Sequence, residues 1–142
     1  MTPGLTGIDH VHVYVSDRAA AERWYEQVLG FKRVEALMDW ATPTGPLTVE
    51  DAGGTIHLAL FERDDPQETS SLAFATDAEG FLAWKENLES KGLGLRLADH
   101  RLAYSLYFTD PWGNYHEITT YERDEVAAGL QAGSGAAKAN KH

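Results

Sequence analysis

Cysteine is absent from the 142 residues, which excludes disulfides, thiolate metal ligands and a cysteine nucleophile, and permits a reducing compartment. Basic residues are scarce as well: twelve Lys and Arg stand against 22 Asp and Glu, for a net charge of -10. Those twelve are scattered along the chain, so no cluster is available to neutralise phosphates, which argues against nucleic acid as a partner. An acidic surface favours solubility and would attract a cationic ligand. No apolar run approaches the ~18 residues that a membrane span requires, and Met1-Thr2-Pro3-Gly4-Leu5 has no basic segment leading into an apolar one. The expectation is a cytoplasmic chain that engages neither membrane nor nucleic acid.

What is present suffices for a packed core. Hydrophobic residues make up 43%, with four Trp, six Tyr and five Phe, far from the composition of chains that stay disordered. The length allows one domain or two closely packed half-domains, and not two independent cores.

The apolar pattern divides the chain into elements. Residues 8–15 alternate, with Ile8, His10, His12 and Tyr14 on one face and Val11, Val13 and Val15 on the other, the period of a half-buried strand. Asp17 can cap a helix over about residues 18–29, with Ala20, Trp24 and Val28 on one stripe, both Trp24 and Trp84 expected in the core, and Gly30 as the stop. Strands are expected near 31–40, 46–51 and 54–62, separated by Pro43-Thr44-Gly45-Pro46 and Gly53-Gly54. A strand at 70–76, a helix at 78–91 capped by Asp77 and ended by Gly92, and strands near 93–100, 103–109 and 114–121 repeat that order. Asp17 and Trp24 recur as Asp77 and Trp84, which supports an internal duplication. One domain over about 7–125 is expected, with modules at about 7–62 and 70–122, and residues 126–142 read as a frayed helix and flexible tail from their Ala, Gly, Lys and Asn content.

Three phrases carry a family resemblance: Ile8-Asp9-His10-Val11, Trp24-Tyr25-Glu26-Gln27-Val28-Leu29-Gly30-Phe31, and Asp110-Pro111-Trp112-Gly113-Asn114-Tyr115-His116-Glu117. Through them the chain resembles the vicinal-oxygen-chelate superfamily of glyoxalases, bleomycin resistance proteins and extradiol dioxygenases. The resemblance implies an α+β fold of two tandem βαβββ modules around a U-shaped trough that accommodates a divalent metal, Fe(II) or Mn(II) for this donor set, and a homodimer. It implies His10, His57, a residue at 70 or 71, and Glu117 as ligand positions. Ser70 and Ser71 stand where a histidine is usual, leaving His10, His57 and Glu117 as the candidate metal ligands. The strand pattern agrees: His57 alternates with Ile56 and Leu58, and Glu117 with His116 and Ile118, so each faces away from the helix side, where His116 is expected to be structural. Two imidazoles and a carboxylate suit a non-haem iron or manganese ion.

Within the superfamily the spacing resembles that of extradiol ring-cleaving dioxygenases: His100, five residues, Leu106-Tyr107, two residues, Asp110-Pro111-Trp112-Gly113, three residues, Glu117. Ala98 departs from that pattern. The resemblance implies His57 as an acid-base residue and Tyr107 and His100 as hydrogen-bonding partners of substrate, so His57, Tyr107 and His100 are the candidate catalytic residues. With the histidine at 70 or 71 missing, either His57 is drawn onto the metal as a substitute ligand or no metal is bound. Trp40 either lines the trough or covers an edge. The leading expectation is a metalloenzyme acting on a small oxygen-bearing molecule, extradiol-like in subtype. The alternatives are a metal-free dimeric binding protein of the bleomycin-resistance type and a glyoxalase-like isomerase or lyase.

Overall fold

A computed structural model describes residues 2–64 and 69–139, and side chains as far as residue 133. The first module consists of β1 (Val11–Val15), α1 (Arg18–Leu29), β2 (Lys32–Arg33), a 3-10 segment (Glu35–Trp40), β3 (Pro46–Glu50) and β4 (His57–Glu62). The second repeats the plan as β5 (Ser71–Ala75), α2 (Ala78–Ser90), β6 (Arg96–Asp99), β7 (Tyr104–Thr109) and β8 (Tyr115–Thr120), followed by α3 (Arg123–Ala139). Each module forms a four-stranded mixed sheet, ordered β1-β4-β3-β2 and β5-β8-β7-β6. β1–β4 and β5–β8 are the parallel pairs, and the remaining neighbours are antiparallel. The fold is therefore α+β with two tandem βαβββ modules.

Both helices start as the sequence predicts. The Asp17 carboxylate accepts from the Ala20 backbone N–H and the Asp77 carboxylate from Gly80 N–H, satisfying a donor that the first turn leaves over. Gly30 ends α1 in the left-handed region at φ 74°. Val13 and Val15 of β1, Leu47 and Val49 of β3, and Leu58 and Leu60 of β4 are buried with Ala21, Tyr25, Val28 and Leu29 of α1. In the second module Leu106, Phe108, His116 and Ile118 are buried, as are Phe81 and Leu88 of α2.

Four local expectations need correction. The buried stripe of α1 runs through Ala21, Tyr25 and Leu29, one residue on from the expected one although Val28 is buried as expected, so Trp24 is half-buried with its ring 4.9 Å from that of Tyr25. Trp84 is likewise half-buried. Apolar residues occupy both rows at four-residue spacing, and only packing against the sheet selects between them. The strand expected at 31–40 stops at Arg33, because Glu35-Ala36-Leu37-Met38 are helix formers without a β-branched side chain. Regular strand begins at Val11 rather than Ile8, with the parallel pairing to β4 starting at Val11 and Leu58. Finally, the segment from Val126 continues α3, with Val126 fully buried and the Ala78 N–H bonded to the Glu122 carboxylate. A side chain at Gly129 would stand 2.4 Å from Leu82 Cδ1, so glycine here lets α3 approach α2. His142 lies outside the described residues.

The chain divides into two compact units, one running to Ser70 and including Pro111–Asn114, the other made of Ser71–Asp110 with the residues from Tyr115. Asn114 explains why the turn belongs with the first unit: it is fully buried, its amide donates to the Tyr14 carbonyl at 3.0 Å, and its oxygen accepts from Ser70 N–H at 2.9 Å.

Candidate functional site

In the first module the polar rings lie on one face of one sheet. β1 directs Val13 and Val15 inward, so His12 and Tyr14 face out beside Ala59 and Phe61 of β4 in parallel register. His57, first residue of β4, shares the face of Ala59 and Phe61 and lies opposite Glu50 of β3. A cavity of about 100 Å³ opens there, walled by Leu37, Trp40 and Pro46 and by the polar groups of Asp9, His10 and His57. Trp40, 57% exposed, lines it from the 3-10 segment.

The hydrogen bonds set the imidazole tautomers. A carboxylate only accepts, so His10 Nδ1–H donates to Asp9 Oδ2 at 2.8 Å and leaves Nε2 with its lone pair, the form a metal or proton donor requires. His12 Nε2 lies 3.1 Å from that atom. His57 Nε2–H donates to Glu50 Oε2 at 2.9 Å. Glu50 and Asp9 did not emerge from the sequence as site residues. Glu50 was nonetheless legible in principle, because a hairpin turning at Gly53-Gly54 sets residues 50 and 57 face to face.

In the second module β7 and β8 carry the remaining candidates. Tyr107 stands directly across from Glu117, and Ser105 across from Thr119. The buried Ser105 hydroxyl donates to Glu117 Oε2 at 2.7 Å, another contact the spacing did not disclose. His100 Nε2 is 2.8 Å from the Tyr107 hydroxyl, and the Arg96 guanidinium stacks 4.2 Å above the Tyr107 ring. His100 is presented by a tight turn in which Arg101 adopts φ 73°, a strained value for a non-glycine residue, held by the bond from Arg101 N–H to Asp99 Oδ1. The Arg123 guanidinium beside Asp99, reinforced by the Arg101 N–H, holds that carboxyl down at about 2.

The strand also decides between the two serines. Ser70 is tied to Asn114, whereas Ser71 alternates with Leu72 and shares its face with Ala73, the partner of Glu117 on β8. Ser71 is thus the residue on the site face. His116 points to the core, between the rings of Phe74 and Phe108, and burial pushes its imidazole down to about 4, partly offset by Asp110. It is structural, as expected. Among the described residues no three His, Asp or Glu side chains form a metal-holding group. The candidates come in two sets: His10, His12 and His57 on the first module, and His100, Tyr107 and Glu117 on the second.

The family model of the Glyoxalase/Bleomycin resistance protein/Dioxygenase superfamily matches residues 7–118, spanning both modules. The chain belongs to that superfamily. Solved structures share the fold at low identity. An integron cassette protein from the mobile metagenome of Halifax Harbour sewage outfall is 24% identical, covering 82% of this chain and 99% of its own, at a TM-score of 0.70. Lactoylglutathione lyase from Agrobacterium tumefaciens is 21% identical over 83% of this chain and 96% of its own, at 0.66. A mutant of the fosfomycin resistance protein FosX from Listeria monocytogenes, complexed with Mn(II) and 1S,2S-dihydroxypropylphosphonic acid, is 17% identical over 81% of this chain and 90% of its own, at 0.63. No curated protein matches the chain. Among the described residues no helix is long and apolar enough to cross a membrane.

Proposed function

We propose that the chain is a metal-dependent enzyme acting on a small oxygen-bearing molecule, with extradiol-type cleavage of a catechol-like substrate as its chemistry. The observation that carries the reading is the row on β7 and β8, where Glu117, held by Ser105, faces Tyr107, whose hydroxyl is bonded to His100. That row joins a ligand-capable carboxylate to a phenol and an imidazole able to hold and pass a proton.

His10, His57 and Glu117 are the residues proposed to hold the ion. The donor chemistry fits: His10 is held by Asp9 with Nε2 available, and Glu117 keeps one oxygen beyond its bond to Ser105. A divalent ion bound there would polarise substrate oxygens and lower their pKa. The side chains supply the rest. Tyr107 donates its one proton to a substrate oxygen while its own oxygen accepts from His100 Nε2–H, and with His57 drawn onto the ion that imidazole no longer serves as a proton carrier. We propose a homodimer as the working state, because each sheet ends on two strands with one open edge; sedimentation distinguishes it from the 15.7 kDa monomer.

The test is iron loading without oxygen, followed by air and a panel of catechols. Weak ring cleavage is expected. Tyr107→Phe should lower it by roughly tenfold or more, Glu117→Ala should abolish it, and Ser71→His should raise both iron affinity and turnover. Full iron binding with no catechol consumed by either the native or the Ser71→His protein overturns the dioxygenase chemistry. Isomerase or lyase chemistry would then be next to assay, the Agrobacterium relative being a lyase by its name.

A second reading rests on the cavity itself. An exposed Trp40 face beside Asp9, on a chain of net charge -10, suits a cationic aromatic ligand held without chemistry, as in bleomycin resistance proteins. Saturable quenching of tryptophan fluorescence by metal-free bleomycin, lost in Trp40→Ala, would favour it; no quenching would remove it.

A further inference from the structure

We infer that His12 is a metal ligand, paired with His10 in a two-imidazole clip on β1. This rests on the metal reading above and goes beyond its donor set.

The geometry is specific. His10 Nε2 and His12 Nε2 are 3.1 Å apart, with the rings stacked at 5.1 Å between centroids and 18° between planes. Two nitrogens, each ~2.0–2.1 Å from one first-row ion, stand about 3 Å apart for coordination angles between a right angle and the tetrahedral one. The two rings therefore already present their nitrogens at the separation of neighbouring ligands. Neither ring is placed by chance contact. Asp9 accepts from His10 Nδ1–H at 2.8 Å, which leaves the facing nitrogen its lone pair. Phe61 packs 4.7 Å from the His12 ring and Tyr14 meets it edge-on at 6.4 Å, which sets its direction from the other side.

His57 is bound differently. Its Nε2 is committed to Glu50 at 2.9 Å, an arrangement that orients an imidazole for proton transfer. With His12 beside His10, the ion gains a second imidazole without drawing on His57. The alternative for the pair is a shared proton, Nε2–H to Nε2, and the experiment separates the two.

The experiment uses the full chain without an affinity tag and Co(II) as the probe. Stoichiometry and affinity are read by calorimetry, and ligand type by the visible absorption of the ion. A Zn(II) titration of ¹⁵N-histidine-labelled protein reports each ring nitrogen separately. One Co(II) per chain is expected. His12→Ala should weaken binding at least tenfold, about as much as His10→Ala, and the His12 Nε2 resonance should move with Zn(II). His12→Gln, which keeps bulk and polarity, should weaken binding similarly, while circular dichroism of both variants matches the native protein. Native-like binding by both His12 variants, with loss in His57→Ala and Glu117→Ala, overturns the inference and leaves the His10, His57 and Glu117 set standing. Loss in the His10 and His12 variants alone supports the clip and removes His57 and Glu117 from the set. If the native chain binds no Co(II), both fall.

Discussion

The two modules share one topology and divide the chemistry. Both place a capped helix after the first strand, pair that strand in parallel with the last, and bury one sheet face. Yet the first module displays imidazoles, His10, His12 and His57, whereas the second displays oxygen groups, Ser71, Ser105, Tyr107 and Glu117, with His100 at its edge. Their interiors differ too. The first sheet buries only hydrocarbon on β4, through Leu58 and Leu60, while the equivalent strand β8 buries His116 beside Ile118. Duplication thus preserves the backbone pattern, which depends on period and caps, and leaves side chains on either face free to diverge.

The comparison breaks most forcefully in the cores. Leu60→Ala in β4 and Ile118→Ala in β8 each remove a buried side chain and should each cost about 3 kcal/mol in urea unfolding. Equal losses with one transition would mean that both modules belong to one cooperative unit. Two transitions, each shifted by only one substitution, would divide the chain thermodynamically.

The buried histidine should separate the modules by pH. Burial holds His116 at about 4 in the folded state against an ordinary 6.5, so the unfolded chain takes up a proton first. Its contribution is complete above about pH 6.5 and lost as pH falls towards 4, for about 3 kcal/mol over that window. His116→Leu should flatten this acid-side slope. Urea midpoints at pH 7, 5.5 and 4.5 read the difference directly.

The caps should give the smallest effect and the most equal one. Asp17→Ala and Asp77→Ala each remove a single bond to a first-turn N–H and should each cost about 1 kcal/mol by thermal unfolding. A clear inequality would show that one helix draws more of its stability from packing than the other does.

Much of this was legible from the chain itself. The element order, the capping aspartates, the helix-ending Gly30 and the outward faces of His57, Tyr107 and Glu117 follow from period and turn chemistry, which are local properties. The resemblance led to the superfamily, which the family match bears out. Where two local patterns were equally good, the sequence misled: Ala20-Trp24 and Ala21-Tyr25 both read as a buried stripe, and Phe31 to Trp40 held enough apolar residues to pass for a strand.

By itself the sequence determined the two-module plan, the acidic surface, the exclusion of thiol chemistry and the residue types from which any site must be built. Each is fixed by composition or by spacing along the chain. Tertiary structure alone decided that Asp9 sets the His10 tautomer, that Glu50 claims His57, that Ser105 holds Glu117, that Ser71 rather than Ser70 faces the site, and that His12 lies 3.1 Å from His10. These depend on strand register and side-chain rotamer. Both are settled only when a whole sheet packs, because a one-residue change of register reverses every face it carries.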